Sequence, residues 1–156
     1  MNEFAQRLPL AGEELIEVRI GDQQYAIDIM SVREIRGWTT STPLPHAPAH
    51  VLGMINLRGA ILPVDDLGAR LGVGSTTPSA SSVVVVAHID GREVGLLVDA
   101  VCDIRTVTEG LLQPPPDIGD QGVREFVRGV MTTEAGIVSL LSLDSVLPAE
   151  VAAQAA

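Results

Sequence analysis

Apolar residues along this chain come in short runs, several alternating with polar ones, and Gly, Asp, Asn or Pro stand between the runs. That period predicts strands over 15–20 and 25–27 around a Gly21-Asp22 turn, a strand over 32–36, and a hairpin of 51–57 with 60–64. A short helix is expected over 66–71. Further strands are predicted over 83–89, 93–98, 101–106, 126–133 and 136–140, then a helix from Leu143.

The pattern repeats. Displacing the sequence by 76 residues lays Gly53 on Gly129, Ile61 on Ile137, Leu62 on Val138 and Val64 on Leu140, and a displacement of 69 lays Val32 on Val101 and Ile35 on Ile104. Two echoes in the same order point to an internal duplication with repeats over 15–71 and 83–147, joined by a Gly/Ser/Thr/Pro-rich linker over 72–82. The expected fold is all-β with short helices: two small five-stranded β-barrels around a shared hydrophobic core, spanning 14–147, with flexible tails over 1–13 and 148–156. Whether each repeat closes its own barrel or the two exchange strands is left open by the pattern.

Composition narrows the chemistry. Apolar residues make up 46% and aromatics only 3%, so aliphatic packing must hold the core. All ten basic residues are arginines, which removes a phosphate-loop lysine, a Schiff-base lysine and a lysine general base. A net charge of -10 speaks against nucleic acid, which is held by basic grooves and stacking aromatics. Cys102 is the single cysteine, so no intrachain disulfide can form, and its apolar run predicts a buried, inert thiol. Neither a secretory signal nor a membrane span is visible, so the cytoplasm is the expected compartment, without direct membrane insertion.

Candidate sites mostly fall away. His46 and His50 have helical i, i+4 spacing but enclose a proline and lack a third ligand, so no metal is expected. His88 is read as a structural strand histidine. Asp65-Asp66 could suggest an acid dyad, yet the echo sets Leu141 and Ser142 opposite them, and Asp66 and Ser142 serve better as helix caps. No catalytic residue and no cofactor are expected.

Arg58 is different. Within Gly53-Met-Ile-Asn-Leu-Arg-Gly-Ala-Ile-Leu it puts a permanent cation at the tip of an apolar hairpin, where it must reach solvent, a carboxylate or a partner. A solvated turn arginine fits the same pattern. The echo supplies a control: the second hairpin keeps the glycine and the aliphatic frame but carries Glu134 opposite Arg58.

The runs Tyr25-Ala26-Ile27-Asp28-Ile29, Val32-Arg33-Glu34-Ile35-Arg36-Gly37-Trp38, Gly53 to Gly59, Val94 to Val101 and Gly129-Val130 together resemble the CheW family of chemotaxis coupling proteins. The resemblance implies SH3-like barrels and a non-enzymatic adaptor joining the cytoplasmic hairpin tips of chemoreceptors to the histidine kinase CheA in arrays at the inner face of the membrane. It implies receptor contacts at Val32, Glu34, Arg58 and Val101, with Glu34 as the internal carboxylate that orients the Arg58 anchor, and kinase contacts at the barrel ends. Asn56 and Gly59 have turn roles from the hairpin pattern, and Gly53 and Gly129 strand roles from the echo. Asp65, where the family usually has an apolar residue, and Ser142, where it usually has an acidic one, depart from the pattern. A parallel chemosensory pathway, such as one for twitching motility, would use the same fold. An aspartate hydrolase and a module for Pro-rich peptides are the rivals from other classes; the latter has only Trp38 and Tyr25 for a groove.

Overall fold

The computed structural model describes residues 8–74, 77–89, 91–116 and 126–146. They form ten strands: β1 (Glu14–Ile20), β2 (Gln23–Asp28), β3 (Val32–Gly37), β4 (Val51–Leu57), β5 (Ala60–Asp66), β6 (Val83–Ile89), β7 (Arg92–Val98), β8 (Ala100–Thr106), β9 (Val127–Thr133) and β10 (Gly136–Leu141). Two single-turn helices, α1 (Leu67–Arg70) and α2 (Leu143–Val146), follow β5 and β10. Asp66 caps α1 by accepting the Ala69 N–H at 3.2 Å, as expected from its place before a short apolar run.

The repeats exchange strands. One sheet has the order β8-β1-β2-β10-β9 and the other β3-β6-β7-β5-β4, so the first two strands of each repeat complete the barrel of the other. Barrel two is therefore the continuous stretch β3 to β7, and barrel one is assembled from the flanking strands. The pairings are equivalent in detail: Val64 lies parallel to Gly95 in barrel two, and Leu140 lies parallel to Ala26 in barrel one. Even the bulges correspond, with Arg33 unpaired between Val32↔Ala87 and Glu34↔Val86, and Cys102 unpaired between Val101↔Val18 and Asp103↔Glu17.

Exchange explains the unbroken apolar runs. β1, β2, β6 and β7 lie between two cores, so both of their faces are buried. Leu15 and Ala26 point into barrel one with Met131, Val138 and Leu140, while Val84, Val86 and Leu97 point into barrel two with Ile55, Leu62 and Val64. Their alternate residues, Ile16, Val18, Ile27, Val85, Leu96 and Val98, form the core shared between the barrels. Ahead of β1, Leu8 packs against the barrel-one interior and Gly12 N–H donates to the Val107 carbonyl at 2.8 Å. Residues 1–7, 75–76, 90, 117–125 and 147–156, which include parts of the expected linker and tails, lie outside the described residues.

Two expectations are corrected. Cys102 is exposed, because it is the bulge residue of β8, a strand at the edge of its sheet, and so is not drawn into either core. His88 is also exposed: it shares the face of Val84 and Val86 but lies near the end of β6, beyond the residues that line the barrel-two core.

Candidate functional site

The β4–β5 hairpin closes through two residues, Arg58 and Gly59, both with positive φ, at 53° and 87°. A two-residue turn of this hand matches the twist of its strands and favours Asn-Gly or Gly-Gly. Arginine there costs about 1 kcal/mol or more in backbone strain. The Asn56 side-chain oxygen steadies the turn by accepting the Gly59 N–H at 2.9 Å. Arg58 and His46 are the only non-glycine residues with positive φ among those described.

The guanidinium is 74% exposed and grips Glu34 of β3 with two bonds, Nη1 to Oε1 at 2.8 Å and Nη2 to Oε2 at 3.2 Å. Arg36, which sequence reasoning did not single out, approaches the same carboxylate at 3.6 Å. An exposed pair of this kind adds about 0–1 kcal/mol of stability, so its main effect is to fix where the cation points. Val32 on β3 and Val101 on β8 are half-buried, each packed against the shared core from its own barrel. The structure thus joins Glu34 to Arg58 and sets Val32 and Val101 along the seam between barrels.

Gly53 and Gly129 share a structural reason. The strap residue Thr42 exchanges two backbone hydrogen bonds with Met54, as Gln113 does with Val130. A Cβ at Gly53 would lie 2.3 Å from the Thr42 carbonyl oxygen, and one at Gly129 would lie 3.0 Å from that of Gln113.

Two polar clusters escaped the sequence. In barrel one, Arg105 Nε meets the buried Glu17 at 3.2 Å and its Nη2 meets Glu134 at 3.4 Å. In barrel two, His50 Nδ1 and Asp65 Oδ1 are 2.5 Å apart, with Asp65 only 2% exposed. The duplication puts Phe126 and Leu141 at those two places in the other repeat, where Leu141 is buried in the shared core and Phe126 packs against that core, so two apolar residues there are replaced here by a polar pair. Among the described residues, no three His, Cys, Asp or Glu side chains come together as a metal site.

Burial pushes the Asp65 carboxyl up from its ordinary 3.8, the His50 hydrogen bond and charge and the Arg70 charge pull it part of the way back, and Asp66 adds to the rise. Folded Asp65 therefore binds its proton more tightly than the unfolded chain does. Its contribution to stability is full below the unfolded value and is lost as pH rises through the folded one. Relative to Asp65→Asn, the wild type should be most stable at the acid end and lose that advantage toward neutrality, read from urea midpoints between about pH 3 and about pH 6. A difference that grows with pH would assign control to the His50 ion pair instead.

A family model described as CheW-like domain matches residues 14–151. The chain is 53% identical over 150 residues to the chemotaxis protein CheW of Rhizobium meliloti, covering 96% of this chain and 97% of that one. It is 48% identical over 145 residues to a probable chemotaxis protein CheW of Rhizobium etli, covering 93% and 94%. The crystal structure of the scaffolding protein TtCheW from Thermoanaerobacter tengcongensis superimposes with a TM-score of 0.75 at 31% identity, covering 83% of this chain and 88% of that one. Both barrels are SH3-like, and no described helix is long and apolar enough to cross a membrane. Two strand-exchanged barrels around a common core, matched along nearly the whole chain, place this protein in the CheW family of chemotaxis scaffolds.

Proposed function

We propose that this chain is a non-enzymatic cytoplasmic adaptor that couples chemoreceptors to the histidine kinase CheA within a signalling array. The hairpin tip of the receptor docks along the seam on Val32 and Val101, and Arg58, aimed by Glu34, anchors its polar groups. The regulatory domain of the kinase binds at the barrel ends. Arg58 is the observation that carries this reading: a permanent cation, mostly exposed, held in one direction on a strained turn whose geometry would favour Asn or Gly. Neither scaffold need nor turn chemistry accounts for arginine at that point.

Such a protein acts by binding alone. It raises the effective concentration of kinase at the receptor, and it alters kinase activity only to the extent that it prefers one kinase state. The test is simultaneous occupancy. A receptor cytoplasmic fragment and the kinase regulatory domain should each co-elute with the chain on size exclusion, and all three should form one larger complex. Mutual displacement of the two partners would contradict an adaptor.

A further inference from the structure

The exchanged repeats pose a question of specificity, because a partner that reads barrel two meets a near copy of the same surface on barrel one. Val32, Glu34 and Arg36 on β3 correspond to Val101, Asp103 and Arg105 on β8, with the same bulge between the first and second of each set. Ile35 and Ile104 are both exposed, at 42% and 50%. Ile61 and Ile137, just past the two hairpin tips, are exposed at 70% and 71%. Along the strands, shape and apolar surface therefore match; the tips differ in hand, since Arg58 and Gly59 both have positive φ and Glu134 and Ala135 do not. Among these positions the charge changes sign at one, where Arg58 is answered by Glu134; the bulge position, Arg33 against Cys102, loses a cation without reversal.

The reversal is built into the surroundings. In barrel two the tip cation lies on Glu34, over a barrel whose equivalent interior position is Val86. In barrel one that interior position is Glu17, 3% exposed, which takes hold of Arg105 and turns it toward the tip anion. Asp103, the counterpart of Glu34, is left accepting its neighbour's backbone N–H at 2.8 Å. At equivalent positions from interior to tip, the order is apolar, minus, plus, plus in barrel two (Val86, Glu34, Arg36, Arg58) and minus, minus, plus, minus in barrel one (Glu17, Asp103, Arg105, Glu134).

We propose that Glu134 is a specificity residue: with Arg105 held behind it by Glu17, it makes the barrel-one hairpin repel the partner that Arg58 attracts, so that a pseudo-symmetric molecule offers one docking face. This rests on the reading of Arg58 as the anchor for the receptor tip. Like charges at an otherwise matching surface exclude a wrong mode more effectively than a missing contact does. A single substitution, Glu134→Arg, would restore the barrel-two charge sign at the tip, with Asp103 at the position equivalent to Glu34 and Arg105 still paired with Glu17.

The probe is a purified chemoreceptor cytoplasmic fragment carrying its hairpin tip. Its stoichiometry is followed by calorimetry and its footprint by hydrogen exchange at the hairpins over 57–60 and 133–136. Wild type should bind with protection at 57–60 alone. Glu134→Arg should add protection at 133–136 and raise the stoichiometry toward two fragments per chain. Arg58→Glu combined with Glu134→Arg should recover at least about tenfold of the affinity lost in Arg58→Glu, with the footprint moved to 133–136. Glu134→Gln, which only removes the repulsion, should give weaker protection at the same hairpin and guards against misfolding of the reversed variant. If Arg58→Glu weakens binding but no change at 134 alters stoichiometry or footprint, the inference is overturned while the anchor stands. If Arg58→Glu binds as wild type does, the anchor falls and this inference with it.

Discussion

Gly53→Ala is expected to destabilise the protein by about 3–5 kcal/mol, a fall of roughly 10 °C in melting temperature for a chain of this size. The new Cβ would lie 2.3 Å from the Thr42 carbonyl oxygen and 2.8 Å from its carbon, where only backbone movement can relieve the contact. Moving the strap breaks the Thr42–Met54 hydrogen-bond pair, and the φ of +156° at position 53 adds strain for any side chain. Gly129→Ala is the internal comparison. Its Cβ would stand 3.0 Å from the Gln113 carbonyl and 3.0 Å from the movable Leu8 side chain, so a loss of about 1–2 kcal/mol is expected. Urea titration of both variants decides the point, and equal losses would show that the strap over β4 is not what requires glycine.

Arg58→Glu is expected to have the opposite profile, with a large loss of function and little loss of stability. An anchor residue at the middle of an interface is worth about 2 kcal/mol or more, which corresponds to roughly thirtyfold in affinity for the receptor fragment. Removing an exposed pair with Glu34 changes stability by about 1 kcal/mol or less, so the melting temperature should stay within about 4 °C. Arg58→Asn sharpens the contrast. Asn-Gly is the preferred sequence for a turn of this hand, so the variant should melt at or above wild type while binding receptor as poorly as the reversed one. A large drop in melting temperature for either variant would make Arg58 a structural residue.

Most of the strands were legible because their periods are simple: alternation where one face meets solvent, as in β4, and continuous apolar runs where both faces are buried, as in β1 and β6. Those same runs concealed the exchange, because a strand apolar on both faces fits either barrel and the pattern holds no information about its neighbour. Cys102 was misread for a related reason: the bulge interrupts the period of β8, and alternation counted through a bulge assigns the wrong face. Arg58 could be identified as a hairpin-tip cation, and its partnership with Glu34 was a hypothesis from the sequence; what sequence alone lacks is the geometry, since 24 residues separate the two and β3 and β4 lie at opposite ends of one sheet order. The His50–Asp65 contact had one available signal. Both members of an apolar pair in one repeat, Phe126 and Leu141, are polar in the other, and paired replacement at two equivalent positions points to a direct contact.

An adaptor that bridges receptor and kinase by binding alone should carry CheA into the pellet with receptor-bearing vesicles, and the sedimented kinase is followed as the chain is titrated in, with Arg58→Glu run in parallel. Bridging predicts that kinase in the pellet rises with added wild-type chain and saturates, and that the reversed variant leaves most of the kinase in the supernatant. Kinase that sediments to the same extent without the chain, or equally with both forms, would contradict it.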